Sequence, residues 1–343
     1  MEKSLRLRIR SIFWLSPLLL SVPLLSAQDT QNSDASPHTV QMISVAPDVK
    51  LEVLDWGGTG RSLILLAGLG DTAHIFDKFA PKLAATYHVY GITRRGFGKS
   101  GKPAPVTENY NSARLGDDVL AVIAALHLDH PIVAGHSLAG EELSYIGFHH
   151  PDAVAGLIYL DAGYIYALYD QSNGVGYYLN AIQLRDDLTK LVPGKIPDDL
   201  QEHQKNVREI VEQLQQLQNE LVHYLDEVKQ SPPPPARPNV DKPPVMYAIF
   251  SGQEKIPTIH CPALFIFADP HDLGPSDHSA ARAASEAHDL RTTENQVKAV
   301  ETQVPEAHVV RIAHANHYVF VSNEQDVVGE MNSFISKLPQ SSQ

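Results

Sequence analysis

The chain has almost no cysteine. Among 343 residues only Cys261 occurs, so no intrachain disulfide can form and a packed core must hold the fold. Cys261 stands just before an apolar run, where a thiol serves as a small buried hydrophobe, and no activating neighbour accompanies it. Basic residues are also in deficit: 27 Lys and Arg stand against 40 Asp and Glu, a net charge of −13. A chain this acidic repels phosphate backbones, which argues against nucleic acid as a partner. Signatures of bound groups are missing too. Residues 94–100 (R-R-G-F-G-K-S) lack the spacing of a phosphate-binding loop. The pair His314 and His317 lacks the glutamate that zinc hydrolases carry beside the first histidine, and His149 and His150 diverge if helical. No cofactor and no metal is expected from these patterns. No internal repeat is present.

The apolar stretch at residues 12–25 follows a basic start of Lys3, Arg6, Arg8 and Arg10, and Ser26 and Ala27 then precede polar residues. That order is the pattern of a secretory signal peptide over residues 1–27, with cleavage expected after Ala27 although Leu25 departs from the small-residue rule. An uncleaved anchor is the alternative. Pro17 and Pro23 argue against a spanning helix, and no cysteine is there to carry a lipid. Removing the segment takes away four basic residues and one acidic one, moving the net charge from −13 to −16. The expectation is an exported protein, periplasmic or secreted, with no stable membrane span after cleavage.

Beyond a polar linker at 28–37, strand-like and helix-like segments alternate. Residues 40–45 and 51–56 read as a hairpin around Pro47-Asp48, and residues 63–67 (L-I-L-L-A) as a strand covered on both faces. Residues 74–85 are helix-like, 88–92 strand-like, and 111–126 helical, with Leu115, Val119, Val122 and Leu126 on one stripe. A short strand at 131–134, a helix at 138–148 stopped by Pro151, and a strand at 157–160 follow. Later come a buried strand at 263–268 (A-L-F-I-F-A), a helix around 276–300, a strand at 308–312 and a helix at 324–336. This alternation implies an α/β fold, a mostly parallel doubly wound sheet with helices on both faces. Core segments at 38–163 and 260–338 flank an insertion at 164–259. Its long helix, about 198–229, carries Val207, Val211, Leu214, Leu221, Leu225 and Val228 on a narrow stripe, and prolines 232–235 and 243–244 end it. It reads as a helical cap; a homodimer formed through the same stripe is the alternative, and both can hold.

Chemistry concentrates at G-H-S-L-A-G, residues 135–140, between a buried strand and a helix. A serine on so sharp a turn is thrust above the sheet edge, and positions two before and two after it must be small. Gly135 and Ala139 satisfy this, Ala139 standing where glycine is usual. Ser137 is therefore the expected nucleophile. A serine hydroxyl needs a base to remove its proton, and the order along the chain should be serine, acid, histidine. The segment after the last strand offers His314 and His317; His317, farther from the strand end, is the expected base and His314 a packing residue. The acid should follow the strand at 263–268, where the chain reads A-D-P-H-D. His271 holds the expected register, and a turn longer by one residue brings Asp272 into place. Asp272 is preferred over Asp161, at the end of the preceding strand, and over Asp269, close to its own strand. The carboxylate's task is to hold the histidine tautomer and stabilise the imidazolium. Two backbone N–H groups are needed for the oxyanion: that of Leu138, after the nucleophile, and that of Leu69, in G-L-G at 68–70.

With A-G-L-G at 67–70, R-G-F-G-K-S at 95–100, G-H-S-L-A-G at 135–140, A-D-P-H-D at 268–272 and H-A-N-H at 314–317, the chain resembles the α/β-hydrolase superfamily over residues 40–337. It departs at Thr93, where relatives usually carry aspartate. The resemblance implies an eight-stranded, mostly parallel sheet and a two-step acyl transfer: Ser137 attacks a carbonyl, His317 passes the proton to the leaving group, and water releases the acid. The expected substrate is a small or medium acyl ester. A proline iminopeptidase-like amide hydrolase is one alternative, and a ligand-binding homologue without turnover is another. Serine as nucleophile disfavours the dehalogenase and epoxide hydrolase chemistries, whose enzymes use aspartate there.

Overall fold

The computed structural model describes residues 37–163, 167–168, 188, 191, 199–230, 244–276 and 278–339. The expected signal peptide, nearly all of the linker, residues 169–187 of the insertion and the prolines at 232–235 lie outside the described residues.

Eight strands form one sheet: β1 (Thr39–Ala46), β2 (Val49–Gly57), β3 (Ser62–Leu66), β4 (His88–Ile92), β5 (Ile132–His136), β6 (Gly156–Leu160), β7 (Ala263–Ala268) and β8 (His308–Ile312). Their spatial order is β1-β2-β4-β3-β5-β6-β7-β8. The pairs β1–β2 and β2–β4 are antiparallel, and every other pair is parallel. The apolar runs behave as strands covered on both faces should: β5, β6 and β7 are buried at every position. β1, the antiparallel edge, leaves Thr39 to Met42 in solvent, Val40 and Met42 among them.

Helices cover both faces. Helix α1 (Ser112–Ala125) opens where the Asn111 side chain accepts from Arg114 N, and it buries Leu115, Val119 and Val122. Helix α2 (Gly140–His149) follows the serine turn and lies beside α1. Helix α5 (Ala280–Gln303) is capped by Ser279, whose hydroxyl accepts from Arg282 N, and α6 (Glu324–Ile335) buries Val327, Met331 and Phe334. One expected helix differs. Residues 74–85 form two short pieces, a 3-10 turn at Ala73–Phe76 and a helical turn at Ala80–Leu83. Pro81 lacks the N–H that a continuous helix needs to reach back to Asp77.

Within the insertion, α3 (Leu200–Gln230) and α4 (Pro244–Phe250) are described. On α3, Ile210 is buried while Val207, Val211 and Leu214 are exposed. On α4, Ala248 and Ile249 are buried against Tyr110, Leu115 and Leu138, with Leu69, Phe97, Val245 and Phe250 packed around them. The insertion therefore reaches the residue immediately after Ser137. Among the described residues no helix is long and apolar enough to cross a membrane.

Candidate active site

Ser137 stands at the end of β5, where the chain passes into a 3-10 turn (Ser137–Ala139) and then into α2. Its φ is +53°, a left-handed conformation that a side chain adopts at a cost of about 1–3 kcal/mol and only where the surroundings impose it. The turn shows why small residues are needed. A Cβ on Gly135 would lie 2.7 Å from the Ala139 Cβ and 3.0 Å from Leu143 Cδ1. Gly135 thus makes room for the methyl group that Ala139 introduces.

The loop after β3 runs directly against Ser137. A Cβ on Gly68 would meet His136 Nδ1 at 2.9 Å and the Ser137 Cβ at 3.3 Å. Arg94, buried beneath this loop, donates from Nη2 to Ala67 O at 2.9 Å and from Nη1 to Gly68 O at 3.2 Å, while its Nε is paired with Glu142 at the start of α2. Gly68 C=O and Leu69 N–H belong to one planar trans peptide and point to opposite sides. With the carbonyl held by Arg94, the Leu69 N–H faces away from Arg94. Arg94 is a site residue that the sequence pattern does not single out; its place beside R-G-F-G is the only signal.

The expected base, His317, meets a carboxylate from a different strand end. His317 lies past β8, and its Nδ1 donates to Asp161 Oδ2 at 2.7 Å. Asp161 directly follows β6 with φ +47°, and its Oδ1 accepts from Ala268 N at 3.1 Å. Burial raises the Asp161 pKa, but hydrogen bonds from His271 and His317 outweigh it and hold the carboxylate well below its ordinary range. His136, the residue before Ser137, donates from Nε2 to His317 O at 3.0 Å, and the two rings lie 4.5 Å apart. Burial, with the nearby His317 adding to it, pushes His136 down to about 3, so this ring is neutral and serves as a strut between nucleophile strand and base loop.

Asp272 is not on the histidine. Its side chain is exposed and accepts from Gly274 N at 2.8 Å, closing a local turn, while its own N–H bonds Ala315 O at 2.8 Å. The bridge between His271 and Ala315 aligns this loop so that His271 faces the sheet end and Asp272 faces solvent. Asp269 pairs with Arg311 at 2.9 Å on the surface. His314 does not pack; it sits exposed at φ +58° in a tight turn.

His271, in the register where the acid was sought, contacts carboxylates on both ring nitrogens. Nε2 donates to Asp161 Oδ2 at 2.8 Å, and Nδ1 lies 2.8 Å from Asp289 Oδ1 on α5. Burial lowers its pKa, but the two carboxylates prevail and raise it to about 10. Asp161, His271 and His317 have donor atoms close enough to hold a metal. Their separations of 2.7 and 2.8 Å are those of charge-assisted hydrogen bonds.

A family model described as the alpha/beta hydrolase fold matches residues 61–324. The chain belongs to the α/β-hydrolase fold family. As an α/β-hydrolase it is 32% identical over 117 residues to a fluoroacetate dehalogenase of Burkholderia sp., covering 34% of this chain and 38% of that protein. It is 28% identical over 140 residues to a pimeloyl-[acyl-carrier protein] methyl ester esterase of Edwardsiella ictaluri, covering 40% of this chain and 51% of the esterase. These matches thus span between about a third and a half of each relative. A crystal structure of the Bacillus megaterium epoxide hydrolase superposes with a TM-score of 0.54 at 18% identity, covering 87% of this chain and all of that one, a likeness of fold alone.

Proposed function

We infer that the protein is a serine hydrolase that cleaves acyl esters through Ser137, His317 and Asp161. The observation that carries this reading is the 2.7 Å bond from His317 Nδ1 to Asp161 Oδ2. It places a proton on Nδ1 and leaves Nε2 as the basic nitrogen, the tautomer a general base for Ser137 requires. Leu69 and Leu138 supply the oxyanion N–H groups. Leu138 begins the first turn of the segment leading into α2, so the positive end of that helix reinforces the site.

The reaction follows from these roles. His317 Nε2 takes the Ser137 hydroxyl proton as Oγ attacks the carbonyl carbon, and the tetrahedral oxyanion is held by the two N–H groups. His317 then gives the proton to the leaving alkoxide as the C–O bond breaks, which leaves an acyl-serine. Water, deprotonated by the same nitrogen, releases the acid.

The matched relatives span dehalogenase and esterase names. Serine at the nucleophile position favours the acyl branch on chemical grounds. Displacement at a saturated carbon would leave a seryl ether that water does not cleave, whereas attack at a carbonyl leaves an ester that it does.

A fluorophosphonate probe tests the reading. Wild-type protein is expected to be labelled and Ser137→Ala not; equal labelling of the variant rejects Ser137. Turnover of p-nitrophenyl acyl esters of increasing chain length, compared with aminoacyl anilides, separates an esterase from an amide hydrolase. No turnover in either series, with labelling intact, points instead to a binding homologue.

A further inference from the structure

A second constellation lies at the start of the fold. His38 immediately precedes β1, His74 belongs to the 3-10 turn that follows the Leu69 loop, and Asp77 caps the end of that turn. Between them stands Glu52 of β2, almost wholly buried. We propose that His38, His74 and Asp77 bind a divalent transition-metal ion of the zinc class, with Glu52 as the outer carboxylate that orients His74.

Geometry carries the proposal. One donor atom from each of His38, His74 and Asp77 lies within 4.8 Å of the others. His38 Nδ1 is 3.3 Å from Asp77 Oδ1, and His74 Nδ1 is 3.2 Å from Asp77 Oδ2. Zinc holds imidazole nitrogens and carboxylate oxygens at about 2.0–2.2 Å, so tetrahedral neighbours stand about 3.3–3.5 Å apart. Ion-paired N–H groups approach carboxylates more closely, at about 2.7–2.9 Å. The Asp161 cluster keeps the ion-pair spacing, whereas around Asp77 the two histidines stand farther out, His38 at one carboxylate oxygen and His74, in a long hydrogen bond, at the other.

The surroundings fit the ion. The His38 ring is held edge-on against Trp56 at 5.5 Å and against His74 at 5.3 Å, so few rotamers remain to be lost on binding. His74 uses its two nitrogens on opposite sides: Nδ1 faces Asp77, and Nε2 faces Glu52 Oε1 at 3.7 Å. A carboxylate behind a metal-ligating histidine is the usual outer partner of such ligands. Glu52 is itself anchored, its Oε2 accepting from Thr93 Oγ1 at 2.9 Å, and that hydroxyl accepts from Ala73 N at 3.0 Å. Lys99 Nζ, 3.7 Å from Glu52 Oε1, is the cation facing it from the neighbouring turn. Two imidazoles and one carboxylate select zinc-class ions over magnesium or calcium, which prefer all-oxygen shells. A bound ion clips the start of β1 to the turn behind the Leu69 loop.

The test uses the full chain, freed of metal by chelation and titrated calorimetrically with zinc chloride, with magnesium chloride as control. One saturable equivalent of zinc, no comparable magnesium binding, and a melting temperature that climbs with zinc concentration are expected. His38→Gln and Asp77→Asn should each lose the equivalent, while Ser137→Ala and His271→Asn keep it. If one variant fails to fold, cobalt(II) added to the wild-type chain is the second measurement: a tetrahedral visible spectrum that zinc abolishes is expected. Absence of a saturable equivalent overturns the proposal. So does binding that survives His38→Gln and Asp77→Asn but disappears in His271→Asn, since the ion then sits on the Asp161 cluster. None of these outcomes depends on the serine chemistry proposed above.

Discussion

Asp161 and His271 share a hydrogen bond of 2.8 Å across the ends of β6 and β7, on the same carboxylate oxygen that receives His317 at 2.7 Å. One oxygen thus accepts from two imidazoles. Asp289 lies 2.8 Å from the other side of His271 and also accepts from the His271 backbone N–H at 3.1 Å. The chain of contacts runs Asp289, His271, Asp161, His317. A doubly protonated His271 keeps Asp161 anionic and fixes its oxygen where His317 must dock.

The identity of the acid is the first thing to measure. Asp161→Asn should lower kcat by about 10⁴-fold, because an amide presents a donor to His317 Nδ1 and disfavours the working tautomer. Asp272→Asn should leave kcat essentially unchanged, since that carboxylate only closes a surface turn. The reverse ranking in ester turnover removes Asp161 from the triad.

His271 sets a pH dependence of stability. Its folded pKa is raised from 6.5 to about 10, so the folded state binds this proton more tightly than the unfolded chain. The stabilisation is therefore complete below pH 6.5 and is lost progressively as pH rises toward about 10. Melting temperatures from pH 6 to 10 should fall more steeply for wild type than for His271→Gln. Asp161 has the opposite sign: its depressed pKa stabilises the fold above its ordinary value of 3.8, and that stability fades under acid.

Arg94 joins loop orientation to helix pairing, and two readouts separate the roles. Arg94→Met should lower kcat by about 10²–10³-fold, the effect of losing one oxyanion donor. It also strands the buried Glu142 carboxylate, at about 3–5 kcal/mol in stability. Arg94→Met combined with Glu142→Gln should recover melting temperature and not kcat. Recovery of both assigns Arg94 to stability alone.

Gly68→Ala tests the closeness of the loop to the nucleophile. The added methyl meets His136 Nδ1 at 2.9 Å and Ser137 Cβ at 3.3 Å, so loop or serine must move. A displacement of about 1 Å costs about 10²-fold in rate. Ester turnover should fall by that order while the circular dichroism spectrum is retained.

Much of the fold is legible in the sequence. Apolar runs at 63–67 and 263–268 have no polar face to show to water, so they read as strands covered on both faces, and β3 and β7 both lie inside the sheet with a neighbour on each side. The serine turn is local as well: its small residues, its strand and its helix lie within a few positions of Ser137. Boundaries failed where one residue type interrupts a pattern, as Pro81 does in the first turn of the second piece of the expected helix at 74–85.

Sequence by itself determined the class of the fold and the sharp strand-to-helix turn at Ser137, because each is a short-range pattern of apolar spacing and small residues. Tertiary structure alone decided which carboxylate meets His317. Asp161 and His317 are 156 residues apart and join because β7 pairs with β6 on one side and with β8 on the other; the first pairing also places Asp161 N on Ile266 O at 2.8 Å. A loop that shifts by one position exchanges which side chain faces the sheet end, and no periodicity records that choice. The same limit applies to Arg94 under the Leu69 loop and to His38 beside His74 and Asp77: partners distant in the chain meet through sheet order and packing.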